Sequence, residues 1–109
     1  MIFRLKSVDG RPETVDLGIA LFRDVVSHCC TSVEGFSAGY FLVDRGSGKT
    51  VTLTVWNDRE ALAQGRQNLV NVLETDAQAA DTVKRINSQG VRFDTYEVAL
   101  EISPSETAQ

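Results

Sequence analysis

The stretch "TVTLTVW", residues 50–56, alternates without a fault. Thr50, Thr52, Thr54 and Trp56 point one way; Val51, Leu53 and Val55 point the other, as side chains do along a strand. A row of hydroxyls beside an indole suits a pocket that holds a flat molecule and reaches its polar edge. Trp56 is equally suited to anchoring the strand end in a core, and both readings stay open here. Just upstream, "GSGKT" (46–50) ends like a phosphate-binding loop. Such a loop needs a glycine at position 43, where Val43 stands, and a helix after it, where the alternating run stands instead. The segment "DRGSGK" therefore reads as a hairpin turn, with Asp44, Gly46 and Gly48 as residues that tolerate positive φ.

Other candidates are single residues. His28 is the one histidine of the chain and titrates nearest neutrality. It could serve as a general base, or sit on a helix flank near the C-terminal end. Tyr40 and Tyr96 lie on strands and could line a cleft, a core or a contact with another chain. Arg4 and Lys6 alternate with Phe3 and Leu5, so either could hold an anionic or phenolic group. Cys29 and Cys30, the only cysteines, diverge on a helix and read as reduced, small apolar residues. No carboxylate pair, metal-ligand spacing or Ser/His/Asp set stands out, and neither metal nor cofactor is expected.

The elements that must position these residues follow from periodicity. Ile2–Val8 is strand-like, and "DGRPE" makes a turn. From Thr14 to about Glu34, Val15, Ile19, Phe22, Val26, Cys29 and Val33 recur at helical spacing, with Gly35 as the expected C-cap. "FSAGYFLVD" (36–44) is a strand with Phe36, Ala38, Tyr40 and Leu42 on one face. After Trp56, Asn57 is placed to cap a helix, with Glu60 three residues on. The helical stretch runs to about Ile86, with a kink or break expected at Gly65. The last strand, "VRFDTYEVALEI", puts Tyr96, Val98, Leu100 and Ile102 on one face. Residues 1–103 form one domain, and 104–109 a frayed tail.

The order β-α-β-β-α-β is the ferredoxin-like α+β arrangement: a four-stranded antiparallel sheet with two helices on one face. Two helices cover only one face, and the second and last strands are apolar on both. A second copy packed sheet to sheet is the expected partner. With 109 residues and a net charge of −4, and basic residues scattered, the chain lacks the basic stripe that nucleic acid or an anionic membrane surface requires. No apolar run is long enough to span a bilayer. The opening residues lack the layout of a signal peptide, so a cytoplasmic location is expected.

The run "EGFSAGYFLVDRGSGKTVTLTVWNDREAL", residues 34–62, resembles the antibiotic biosynthesis monooxygenase domain of the dimeric α/β-barrel superfamily. Its marks are a Gly-Phe after the first helix, two strands around a short turn, a Trp closing the second, and a polar pair before Glu-Ala. "YEVALEI" fits that family's last strand. The resemblance implies a dimeric barrel with a small-molecule cleft between helices and sheet in each subunit. Its quinone-forming members act without a cofactor, using the strand-end Trp and an Asn four residues before it. Trp56 matches the Trp, while Thr52 stands at the Asn position. The haem-degrading type needs a Trp and a His on the second helix, and this helix has neither. A phenolic or polycyclic substrate is implied, with Trp56, Thr52, Thr54, Tyr40 and Arg4 as its binding residues and Trp56, Thr52 and His28 as candidates for catalysis. A dimeric small-molecule-binding or accessory module without chemistry is the alternative.

Overall fold

A computed structural model of the chain describes residues 1–104. In chain order come β1 (Ile2–Val8), a tight 3₁₀ turn (Pro12–Thr14), α1 (Val15–Leu21), a π-helical turn (Phe22–Val26), α2 (Ser27–Thr31), β2 (Phe36–Val43), β3 (Thr50–Trp56), α3 (Arg59–Thr75), α4 (Ala77–Asn87) and β4 (Val91–Glu97). The strands form one antiparallel sheet in the order β2-β3-β1-β4. The helices cover one of its faces, as the ferredoxin-like order requires.

Strand pairing places the threonine row opposite known partners. Thr54 and Thr52 face Arg4 and Lys6 of β1, and Lys6 in turn faces Phe93 of β4. Between Phe36 and Ala38 the β2–β3 register shifts by one residue. This bulge flips the parity expected for β2. Phe36 pairs with Trp56 and joins the helix side, while Ala38, Tyr40 and Leu42 pair with Val55, Leu53 and Val51 on the outward face. The sequence expectation that Phe36 shares a face with Tyr40 is thus corrected.

The first helical stretch is continuous but interrupted by the π turn, where one wide turn inserts an extra residue. It ends at Thr31, earlier than expected. Gly35 is not its C-cap; at φ +99° it makes the turn into β2, where a side chain would press on Ala61. The cap of α3 is Asp58, whose carboxylate accepts from the Ala61 amide at 2.8 Å; Asn57 instead donates its own backbone N–H to the Gly35 carbonyl. The second helical stretch breaks at Asp76, not at Gly65. Asp76 is extended and caps α4 by accepting from the Ala79 amide at 3.0 Å.

The "DRGSGK" segment is a hairpin turn. Asp44 Oδ1 accepts from the amides of Gly46 and Ser47 at 3.0 and 3.3 Å. Only Gly48 of the three expected residues has positive φ, at +83°, and its backbone lies so close to Arg11 and Pro12 that no Cβ would fit. The last strand stops at Glu97. The Val98 amide still donates to the Met1 carbonyl at 2.9 Å. Leu100 and Ile102, expected on that strand, are 83% and 91% exposed. From residue 105 on, the expected tail lies outside the described residues. Among those described, no helix is long and apolar enough to cross a membrane.

Candidate functional site

The core divides into two clusters. One gathers Ile2, Cys30, Val33, Ala61 and Leu62 around Trp56. The other joins Val8, Leu21 and Ile86. Between them, under the helices, the sheet leaves a cavity of about 380 Å³ lined by members of both clusters. Its volume is that of a site for a small organic molecule.

The closed end is built on Trp56. The indole is 2% exposed, and its Nε1–H donates to Thr54 Oγ1 at 2.9 Å. Phe36 meets the ring edge-on at a centroid distance of 5.0 Å. Above it α3 presents Gly65; a Cβ there would lie 2.2 Å from the indole Cη2. Gly65 is a glycine because the Trp56 ring occupies the space a side chain would need, a reason other than the kink expected from the sequence. Gly18 of α1 stands in the same relation to Phe41, 2.7 Å from a built Cβ. Phe41 stacks at a tilt on Phe22 of the π turn, centroids 5.7 Å apart, and both rings line the cavity.

The more exposed side, toward β1 and β4, is charged. Among the described residues, Arg4, Lys6 and Arg66 are the charged ones lining the cavity, and no aspartate, glutamate or histidine does so. The Arg4 guanidinium lies 4.7 Å from the centroid of Phe93, and Lys6 Nζ lies 6.0 Å from the same ring, both within cation–π range. Arg4 donates one N–H to Thr95 Oγ1 at 2.9 Å. Partial burial pulls the pKa of Arg4 below its ordinary value, with the charge of Arg66 adding to the effect and Asp94 opposing it. Burial likewise lowers that of Lys6.

The expected site residues separate cleanly. Trp56, Thr52, Thr54 and Arg4 are brought together in the cavity wall. Thr54 spends its hydroxyl as acceptor on the Trp56 indole, so it is a prop for that ring; Thr52 has no side-chain partner among the described residues and faces Lys6 across the strand pair. Tyr40 does not belong to the site: it is 53% exposed on the face turned away from the helices. His28 is exposed on α2, its ring 3.5 Å from the Ser27 hydroxyl, beside a separate shallow groove with Asp24 and Asn68. Cys29 and Cys30 are buried and free; desolvation pushes the Cys30 thiol up to about 11, with Cys29 adding to it. Among the described residues no three His, Cys, Asp or Glu side chains converge as metal ligands do. Phe93 and Arg66 are site residues that periodicity does not reveal. Phe93 reaches the site through the β1–β4 register, and Arg66 through the way α3 crosses the sheet.

The fold is that of the antibiotic biosynthesis monooxygenases. A solved structure of an antibiotic biosynthesis monooxygenase superimposes with a TM-score of 0.64 at 20% identity, covering 92% of this chain and 100% of the other. SnoaB of Streptomyces nogalater, a cofactor-independent oxygenase, gives 0.65 at 14% identity over 94% and 96%. The monooxygenase ActVA-Orf6 of Streptomyces coelicolor, solved with nanaomycin D, gives 0.63 at 19% identity over 95% and 92%. In sequence, the chain is 28% identical over 97 residues to the uncharacterised protein Rv2558 of Mycobacterium tuberculosis, and 29% identical over 75 residues to Rv2557 of the same organism. The matches take 89% and 69% of this chain but only 38% and 34% of those relatives, so it spans little more than a third of their length. No protein-family profile matches the sequence.

Proposed function

We propose that the chain is a cofactor-independent monooxygenase that takes a phenolic or polycyclic small molecule into the cavity beneath the helices. The observation that carries this reading is the cavity's make-up: an apolar body closed by Trp56 and Phe41, and a rim of Arg4, Lys6 and Arg66 with no carboxylate lining it among the described residues. A phenol bound there loses its proton to solvent at the open end, because nearby cations favour the phenolate. The electron-rich carbon of such an anion transfers electrons to O₂ and combines with the reduced oxygen to give a peroxide. The O–O bond then breaks. One oxygen remains as a quinone carbonyl; the other leaves as water, taking the hydrogen of the oxidised carbon and a solvent proton that replaces the one the phenol released, and the substrate supplies all the electrons. Trp56 acts as a wall, and Thr52 offers its hydroxyl to the phenol oxygen. SnoaB and ActVA-Orf6 lend the reading support through their shared fold. Oxygen uptake with anthrones and naphthohydroquinones tests it. Uptake above the spontaneous rate, reduced in Trp56→Ala, is expected; equal rates in the two proteins would count against it.

A second reading, a binding or accessory module without turnover, is favoured by two observations. Thr52 stands where the resemblance implies Asn, and the Trp56 N–H is already committed to Thr54. Thermal stabilisation by the same compounds without oxygen uptake would select it.

We also infer a homodimer packed sheet to sheet. Tyr40, Leu42 and Tyr96 are 53%, 49% and 55% exposed on the outward face, an apolar surface that association would cover. Sedimentation showing a stable monomer at micromolar concentration would sink this. A reducing, cytoplasmic setting suits the two free cysteines.

A further inference from the structure

The open end of the cavity holds three like charges without a counter-ion among the described residues. Arg4 and Lys6 project from the same face of β1 and both reach the Phe93 ring. Arg66 arrives from α3, near enough that its charge weighs on that of Arg4. Among the described residues none of the three makes an ion pair. The one carboxylate whose charge Arg4 feels is Asp94, and it is engaged elsewhere. It pairs with Leu5, on the outward face, and accepts from Arg92 Nε at 3.0 Å. In a chain with a net charge of −4, an unpaired cationic cluster beside an apolar cavity is not a by-product of composition. Partial burial and mutual repulsion both disfavour it, and an anion seated between the three would relieve both.

We propose that this end is an anion subsite, and that the molecule taken by the cavity is an aromatic carboxylate: its rings between Phe22, Phe41 and Trp56, its carboxylate among Arg4, Lys6 and Arg66. The proposal rests on the reading of the cavity as an aromatic small-molecule site and names the substrate class more narrowly. Arg4 is held in place through a single N–H, donated to Thr95. The rest of its planar fork remains for two oxygens side by side, the geometry of a carboxylate. Phe93, 49% exposed, supplies an aromatic floor for the same end and steadies both cations. The ligand is thus anchored at one end by charge and sorted at the other by shape.

The test is anaerobic calorimetry with two probes that share rings and phenol, 1-hydroxy-2-naphthoate and 1-hydroxy-2-naphthamide. The acid is expected to bind at least about tenfold tighter than the amide at low salt, the size of a charge-assisted contact. The gap should narrow as salt rises. Arg4→Met and Lys6→Met, checked for native fold by circular dichroism, are each expected to close most of that gap, weakening the acid far more than the amide. Equal binding of acid and amide by the unaltered protein would overturn the proposal without recourse to any variant. So would a preference that survives both substitutions, or tighter binding of 1-naphthyl phosphate than of the naphthoate. Selective acid binding with no oxygen uptake in air would uphold the subsite and remove the oxygenase reading. Binding of none of the probes would overturn both.

Discussion

The two ends of the cavity are built by opposite rules. At the closed end every group has a partner: the Trp56 N–H has Thr54, the indole has the Phe36 ring at a steep angle, and the rim of its six-membered ring has the bare backbone of Gly65. At the open end three cations gather, two of them on the Phe93 ring, and none has an anion among the described residues. The contrast separates two kinds of residue that the sequence presents alike. Trp56, the most conspicuous residue of the chain, serves stability first and the ligand as a wall. Arg4 and Lys6, which look like ordinary alternating strand residues, have the Phe93 ring and, for Arg4, the Thr95 hydroxyl, but no ion pair among the described residues. A group satisfied by its neighbours has little left to offer a ligand, and an unsatisfied one is where a ligand's chemistry is read.

Substitutions should divide along the same line. Trp56→Ala empties the closed end and is expected to lower unfolding stability by about 3–5 kcal/mol, measured by denaturant unfolding. A loss below about 1 kcal/mol would erase the distinction between the ends. Gly65→Ala forces a methyl into the indole and should cost about 1–3 kcal/mol, unless the ring and α3 move apart. Cys30, part of the Trp56 cluster, should report the same tightness chemically. Its thiol, raised from 9.0 to about 11, is expected to react with iodoacetamide at pH 8 at least about a hundredfold more slowly than in the unfolded chain, as the lower thiolate fraction dictates. Because the folded pKa lies above the unfolded one, this thiol's contribution to stability is complete below pH 9 and is lost as pH rises through about 11. Lys6, lowered by burial, carries the opposite sign, so the comparison is made against Cys30→Ala. Asp58→Ala, which uncaps the helix holding Gly65 over the indole, should cost about 1 kcal/mol. At the open end, Arg4→Met and Lys6→Met should change stability by less than about 0.5 kcal/mol, while altering what the protein binds.

Much of this was legible in the sequence. The faultless alternation of residues 50–56 set the threonines and Trp56 on one face, and pairing with β1 and the cavity confirm that face as the lined one. The hairpin reading of "DRGSGK" held because period two continues after Thr50, which no helix start allows. The misses share a physical cause: each depends on what a residue meets across the fold. A single unpaired residue at Ser37 reverses the parity of β2 and sends Phe36 to the core while leaving Tyr40 outside. Alternation continues through Val98, Leu100 and Ile102, but a strand needs a neighbour, and the β1–β4 pairing ends at Ile2 and Glu97. Gly65 has the signature of a break, yet the helix runs through it; Asp76, a sound cap, breaks the stretch instead. The cationic end was half visible. Arg4 and Lys6 alternate plainly, but nothing local tells that Phe93 will lie across from Lys6, or that Arg66 will descend from α3 onto the same end.

The most direct measurement is a crystal structure of the protein with 1-hydroxy-2-naphthoate bound. The expected result places the ring system against Phe22, Phe41 and Trp56, with the carboxylate within hydrogen-bond distance of Arg4 or Lys6. A naphthoate bound outside the cavity, or inside it with its carboxylate turned toward Trp56 and away from the cations, would contradict the account.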